Sequence, residues 1–288
     1  MEALVGFLST RTTGRRVTAV EIGAISALKT FDPAPTALVD GTVLGATRHG
    51  KWLDVAVESD RTLHLVFHLA RAGWLRWSDS LPSTPVRPGR SPLALRVRLD
   101  DDSGFDLTEA GTRKRLAVYL VHDPQDVPQI ASLGVDPLSA EFTVDRLTAL
   151  MAAKNQQIKG LLRDQGTIAG IGNAYSDEIL LVARTSPFAL TRSFDAEKIA
   201  RLHAAVLSVL TEAVATAAGR PAAELKDAKR RGMRVHGRTG EPCPGWDGVP
   251  CGDTVHEVSF ADSALQYCPT CQTGGTPLAD RRMSRLLR

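Results

Sequence analysis

The chain carries no cysteine before position 243, few aromatic residues (5%) and no strong excess of either charge, its formal net charge being +3 over 288 residues. Each scarcity excludes something. A disulfide-stapled secreted domain would spread its cysteines through the fold, and nothing resembling a secretory signal opens the sequence. No apolar run reaches the roughly 20 residues that a bilayer span requires. No low-complexity tract argues for disorder, and no internal repeat is visible. The reading is a cytoplasmic monomer without a membrane segment, with a 43% apolar fraction that can supply one large or two ordinary cores.

What is present begins with the cysteines. Cys243, Cys251, Cys268 and Cys271 form two pairs around a β-prone segment with Val255, Val258 and Phe260. Cys268-Pro-Thr-Cys271 is the short spacing that turns two thiolates toward one metal, whereas seven residues separate Cys243 from Cys251. The set is expected to hold one structural Zn²⁺ in a small finger; two disulfides are the competing reading, disfavoured in a reducing compartment. Basic residues gather at Arg113-Lys114-Arg115, from Lys226 to Arg234 and from Arg281 to Arg288. Such patches suit a phosphate backbone, although any one of them can be a solvated face.

The period changes along the chain. Val43 to Glu58, Leu63 to Leu69 and Leu95 to Leu99 alternate apolar and polar residues between glycines, as half-buried antiparallel strands do. Glu2 to Thr13 places Leu4, Phe7 and Leu8 at helical spacing ahead of them. From Thr143 the spacing is helical, with Val144, Leu147, Leu150 and Met151 on one face and Ile199, Leu202, Val206 and Leu210 on another. The expected architecture is α+β: an N-terminal antiparallel β-sandwich with a flanking helix (1–130), a helical domain (134–225), a four-cysteine β-hairpin finger (235–273) and a basic tail (274–288). Within the helical part, Ile158 to Leu180 predicts a helix ending near Gln165, a turn through Gly166, Gly170 and Gly172, and a second helix starting around Asn173. Glycines there admit close backbone approach, and a helix N-terminus attracts an anion, with the Asn173 carboxamide as a further donor. A structural helix–helix turn would carry the same pattern.

Taken together, Arg48-His-Gly-Lys51-Trp-Leu, His68-Leu-Ala-Arg71-Ala-Gly73, Gly134-Val-Asp-Pro-Leu138, the 158–180 segment and Val235-His-Gly-Arg-Thr-Gly-Glu241 before the cysteines resemble the formamidopyrimidine-DNA glycosylase and endonuclease VIII family. The resemblance covers nearly the whole chain. It implies a helix–two-turn–helix domain and a zinc ribbon, and an enzyme of base-excision repair that flips damaged bases out of duplex DNA, cuts the glycosidic bond and then breaks the strand as an abasic-site lyase by β-elimination. By the same resemblance Lys51 and Asn173 contact phosphates beside the lesion. Arg71 stands where many relatives carry a void-filling methionine, and Arg113, Lys114, Arg115 and Leu116 lie where others place further void-filling residues. The implied partner is double-stranded DNA containing damaged bases or abasic sites.

Two positions depart from the family pattern. Ser263 stands five residues before the third cysteine, where relatives have an arginine, so the hairpin brings no charge there and Arg281, Arg282 and Arg285 are candidates to compensate. The family's N-terminal proline nucleophile and following glutamate are also missing, since Met1-Glu2-Ala3-Leu4-Val5 matches a stretch beginning about six residues further on, and Glu2 is not the catalytic glutamate. The expectation is a start codon read late, a GTG for the valine usual at that position. The alternative is a relative that binds damaged or abasic DNA without cutting it. A reading from another class, a zinc-containing nucleic-acid module with no catalysis, differs in showing no preference for damaged duplex.

Overall fold

The structure is a computed structural model that describes residues 1–87, 89, 91–111, 113–260 and 263–279. The chain divides into two compact units, residues 1–132 with 217–226, and residues 133–216 with 227–288.

The first unit is built from eight strands, β1 (Val17–Ile22), β2 (Thr42–His49), β3 (Trp52–Glu58), β4 (Thr62–His68), β5 (Gly73–Ser78), β6 (Leu93–Leu99), β7 (Gly104–Glu109) and β8 (Ala117–Val121). They form two four-stranded sheets, β1-β6-β7-β5 and β2-β3-β4-β8, and every pairing is antiparallel. Alternation does the sorting, because successive side chains point to opposite faces. Leu53, Val55 and Val57 of β3, Leu63, Leu65 and Phe67 of β4, Val118 and Leu120 of β8 meet Leu95, Val97 and Leu99 of β6 and Phe105 and Leu107 of β7 in one core. Helix α1 (Glu2–Thr12) adds Leu4 and Leu8 to it. A single helical turn, α2 (Pro128–Ala131), follows β8.

Sequence and structure differ in detail here. The expected run from Val43 to Glu58 is two strands, folded at Gly50-Lys51 into a two-residue hairpin turn with His49 paired to Trp52. Gly50 has φ +56°, which a turn matched to the right-handed strand twist demands at that position. Lys51 therefore sits in a turn and not on a strand.

The second unit holds α3 (Val144–Ala153), α4 (Ile158–Arg163), α5 (Asn173–Val182) and most of α6 (Ala196–Ala217) and α7 (Leu225–Arg231), then the hairpin β9 (His256–Ser259) and β10 (Ala264–Tyr267) and the short α8 (Pro269–Thr273). Thr143 caps α3 through its hydroxyl, which accepts from the Arg146 amide at 3.1 Å. Leu147, Met151, Ile158, Leu161, Leu162, Ile179 and Leu180 share a core with Ile199, Leu202 and Val206. The α+β architecture read from the sequence, with N-terminal antiparallel sheets, a helical region and a C-terminal hairpin, is the one observed. Helix α6, whose face at Ile199, Leu202, Val206 and Leu210 the sequence reading placed, is also long and apolar enough, by length and composition, to cross a membrane. Its apolar stripe is spent on the helical core, and Glu197, Lys198, Arg201 and Glu212 interrupt the rest.

Candidate nucleic-acid interface

Strand register decides which loops of the sandwich lie together. The start of β3 pairs with the end of β4 (Leu53 with Phe67), and the end of β4 pairs with the start of β8 (His68 with Ala117). The start of β5 pairs with the end of β7 (Gly73 with Glu109), and the Ala110 amide donates to the Ala72 carbonyl at 3.3 Å. The β2–β3, β4–β5 and β7–β8 turns thus emerge at one end of the sandwich. They carry Lys51, Arg71, Arg113, Lys114 and Arg115, which are far apart in sequence.

Each turn is built to hold its shape. In the β4–β5 turn, the Gly73 amide donates to the Leu69 carbonyl at 2.8 Å, and a Cβ on Gly73 would lie 2.0 Å from that oxygen. Ala70 has φ +52°, a left-handed conformation that strains a residue with a Cβ, and Arg71 next to it is exposed. His68 Nδ1 accepts from the Ala70 amide at 3.2 Å, and the imidazole lies against Trp52 with ring centres 4.9 Å apart and planes inclined by 44°. Burial, and then the charge of Lys51, hold the His68 pKa below its ordinary value. In the β7–β8 loop the buried Glu109 carboxylate accepts from the Arg115 amide at 2.8 Å and the Leu116 amide at 3.0 Å. Glu109 carries no basic signature, and sequence reading missed it; its signal is a lone carboxylate at the end of a strand that leads into a basic loop.

The structure also separates the four residues assigned to that loop. Arg113 and Arg115 are exposed. Lys114 donates its ammonium to the Glu109 carbonyl. Leu116 is buried in the sandwich core and cannot fill a void outside it, because its position two residues before Val118 is already on the inward face. Glu2, excluded as a catalytic acid on sequence grounds, is paired with Arg48 of β2.

In the second unit, the turn between α4 and α5 is braced from within. Gln165 accepts from the Gly170 amide at 3.0 Å and donates to the Ile171 carbonyl at 2.8 Å, while Asp164 accepts from the Gly166 amide and the Thr167 hydroxyl. Gly170 has φ +88°. Gly134 and Val135 lie along the turn, with the Gly134 amide donating to the Gln165 carbonyl at 2.9 Å; a Cβ on Gly134 would sit 2.2 Å from the Thr167 carbonyl oxygen. That contact is the physical reason for glycine at the head of Gly134-Val-Asp-Pro-Leu138. Asn173 is the first residue of α5, where main-chain amides have no intrahelical acceptor. Its carboxamide nitrogen donates to the Ala264 carbonyl at 2.7 Å, a partner within the hairpin that the sequence did not announce.

Helix α5 also carries two carboxylates on its buried face. Glu178 accepts from three consecutive amides, Arg234 at 2.7 Å, Val235 at 3.0 Å and His236 at 2.9 Å. Asp177 pairs with Lys159 of α4 and with His236 Nδ1 at 2.8 Å. Burial lowers the Lys159 pKa, and Asp177 opposes that shift. These residues anchor the segment that leads into the cysteine lobe. The signal that could have found them is an acidic pair directly ahead of the apolar run Ile179-Leu180-Leu181.

The four cysteines are free, and their sulfurs all lie within 4.8 Å of one another. The Cys243–Cys271 and Cys251–Cys268 sulfurs are 4.0 and 3.5 Å apart. They pack on Leu181, Val235 and Val255. Burial pushes the Cys243 thiol up to about 12, so a cation is what would let four thiolates share this space. The cluster is placed to hold a metal ion. Ser263 stands immediately before the second hairpin strand, its carbonyl accepting from the Phe260 amide at 2.8 Å. Arg281, Arg282 and Arg285 lie outside the described residues.

A sandwich with a cationic end, a braced helix–turn–helix and a four-sulfur hairpin define a class of DNA-repair fold. Residues 1–118 match the model of the formamidopyrimidine-DNA glycosylase N-terminal domain, and residues 133–223 that of the formamidopyrimidine-DNA glycosylase H2TH domain. The formamidopyrimidine-DNA glycosylase of Thermus thermophilus is 33% identical over 279 residues, covering 92% of this chain and 97% of the relative. That of Chloroflexus aurantiacus is 31% identical over 283 residues, covering 94% and 95%. A formamidopyrimidine-DNA glycosylase-like protein of Mycobacterium tuberculosis, itself uncharacterized, is 55% identical over 161 residues, 56% of this chain and 98% of the relative. Among solved structures, Lactococcus lactis formamidopyrimidine-DNA glycosylase in complex with abasic-site DNA superposes with a TM-score of 0.80 at 24% identity, over 94% of this chain and 97% of that one. The chain belongs to the formamidopyrimidine-DNA glycosylase family.

Proposed function

We propose that the protein is a base-excision repair DNA glycosylase with abasic-site lyase activity, acting on duplex DNA that carries oxidised or ring-opened bases or abasic sites by Schiff-base chemistry that the family places on an N-terminal proline, a residue the sequence given does not contain. The observation that carries the reading is the gathering of Lys51, Arg71, Arg113 and Arg115 at one end of the sandwich by strand register alone. The family supplies the class of reaction, and solved relatives are bound to abasic-site DNA and to DNA containing an N7-benzyl formamidopyrimidine lesion.

In this reading the exposed cations hold the strand while one nucleotide leaves the stack, a step that costs a few kcal/mol and least at a damaged pair. Lys51 contacts a phosphate next to the lesion. Asn173 retains a second amide hydrogen beyond the one given to Ala264, and the start of α5 offers its main-chain donors to another phosphate. Arg71 enters the vacated space, where a flat guanidinium can stack and hydrogen-bond at once. Lys114, tied to the Glu109 carbonyl, contributes charge and loop shape more than a direct contact. Cys243, Cys251, Cys268 and Cys271 hold one zinc ion: sulfurs about 2.3 Å from a tetrahedral metal stand roughly 3.8 Å apart, between the 3.5 and 4.0 Å separations observed. Zinc bound there supplies no reacting group and serves the fold of the hairpin.

The test is a duplex carrying a ring-opened or oxidised purine, assayed for release of the free base and for strand scission against the intact duplex. Lesion-dependent release supports the reading. Binding that ignores the lesion, with no base released, returns the protein to the class of plain nucleic-acid modules.

A further inference from the structure

The imidazole of His68 touches two of the cation-bearing turns that meet at one end of the sandwich. On one side its ring lies against Trp52, the residue after Lys51, with ring centres 4.9 Å apart. On the other its Nδ1 accepts from the amide of Ala70, the residue before Arg71, at 3.2 Å. Ala70 needs that bond. At φ +52° its Cβ crowds the backbone, and such a conformation persists only where the surrounding contacts hold it. Here the Gly73 amide closes the turn on the Leu69 carbonyl at 2.8 Å, the Leu69 side chain is buried, and His68 fixes the amide of the strained residue itself. An acceptor must present a lone pair, so the bond puts the ring proton on Nε2 and requires a neutral imidazole. The charged or titratable groups around the ring are Lys51 from the β2–β3 turn, Arg71 from the adjoining turn and Tyr119 of β8, whose ring meets Trp52 edge-on at 5.7 Å; Ala117 of β8, paired with His68, is uncharged. Among the described residues, no carboxylate lies within ion-pair distance to stabilise an imidazolium. Burial and Lys51 both favour the neutral form.

We infer that His68 is a positioning residue for damage recognition, coupling the turn of Lys51 to that of Arg71 and, through its unprotonated Nδ1, holding the left-handed turn that aims Arg71 into the space left by an extruded nucleotide; this rests on the function proposed above. In this role His68 acts through Arg71 and not on the DNA. A second proton on the ring removes the acceptor, releases the Ala70 amide and adds a charge beside Lys51. The preference for damaged duplex is therefore fully present above the ordinary histidine value of 6.5 and declines as pH falls through the lower value of the folded protein.

The experiment measures the ratio of affinities for an abasic-site duplex and the intact duplex from about pH 7.5 to about pH 5.5. It compares the wild type with His68→Asn, His68→Phe, Arg71→Ala and the double variant carrying His68→Phe and Arg71→Ala. Protonation elsewhere strengthens the hold on any duplex and cancels in the ratio. Asparagine puts a non-titrating oxygen near the position of Nδ1, whereas phenylalanine keeps a ring and loses the acceptor. His68→Phe should lower the ratio about fivefold at the upper pH, the scale of one lost contact, and should lower it no further once Arg71 is alanine. His68→Asn should keep the wild-type ratio and flatten its pH dependence. A folded His68→Phe with the wild-type ratio, or an equal loss in the Arg71→Ala background, overturns the inference and leaves the proposed function standing. So does a wild-type ratio that does not fall with pH. A wild type that binds both duplexes equally at every pH removes the proposed function, and the inference with it.

Discussion

At the scale of residues, positions matter through the atoms they leave no room for and the charges they bring near. Gly73 is the sharpest case, since a Cβ would meet the Leu69 carbonyl oxygen at 2.0 Å inside the turn that presents Arg71. Gly73→Ala should destabilise the first unit by about 1–3 kcal/mol, the usual cost of forcing atoms into a packed site, and a denaturant titration reads it directly. Lys51→Ala should weaken affinity for abasic-site duplex by about 1–3 kcal/mol and lower the salt slope by about one counterion; unchanged affinity and slope would remove Lys51 from the interface. His68 sets a pH dependence. Its folded pKa lies below the unfolded value of 6.5, so below about pH 6.5 the unfolded state binds more protons than the folded one. Stability contributed by the neutral imidazole is therefore fully present above the unfolded pKa and is lost as pH falls through 6.5 toward the folded pKa. Thermal unfolding from about pH 7.5 to about pH 5 should show a steeper loss in the wild type than in His68→Gln. Parallel curves would contradict the burial of His68 beside Lys51.

At the scale of elements, α5 is the organising piece of the second unit. Its first residue is tied to the hairpin through Ala264, its middle holds residues 234–236 through Asp177 and Glu178, and Leu181 supports the cysteine cluster. Removing one partner from a buried charged network leaves the other uncompensated. Lys159→Ala should accordingly cost about 3–5 kcal/mol, more than the loss of side-chain packing alone. Cys268→Ser or Cys271→Ser should abolish metal binding, raise amide exchange in Leu265 to Gln272 and weaken DNA binding, while the β-sandwich keeps its own exchange protection. Metal analysis showing less than one zinc per chain in protein purified without chelator would contradict the assignment. Much of this was readable beforehand. The glycine-punctuated turn and the start of α5 at Asn173 follow from local rules, because glycine, capping and the 3.6-residue period act within a few residues. What escaped depends on distant partners. The Asn173 bond to Ala264 joins residues 91 positions apart, and the Glu178 bonds to residues 234–236 join positions 56 to 58 apart.

At the scale of the whole chain, two periods and one cysteine cluster were enough to anticipate the β-sandwich, the helical region and the four-cysteine lobe. Strand register was not legible, and with it the convergence of Lys51, Arg71 and the Arg113–Arg115 loop at one end of the sandwich. Leu116 shows the cost of that gap: without the pairing of β4 with β8, nothing in Arg113-Lys-Arg-Leu116 says that the leucine turns inward while its neighbours stay in solvent. The most direct test of the account is the equilibrium affinity of the wild-type protein for an abasic-site duplex and for the intact duplex of the same sequence, in one buffer at one salt concentration. A protein that extrudes nucleotides is spared most of the unpairing cost at the abasic site, so it should bind the abasic duplex at least about tenfold more tightly; equal affinities would contradict damage recognition and, with it, the functional reading.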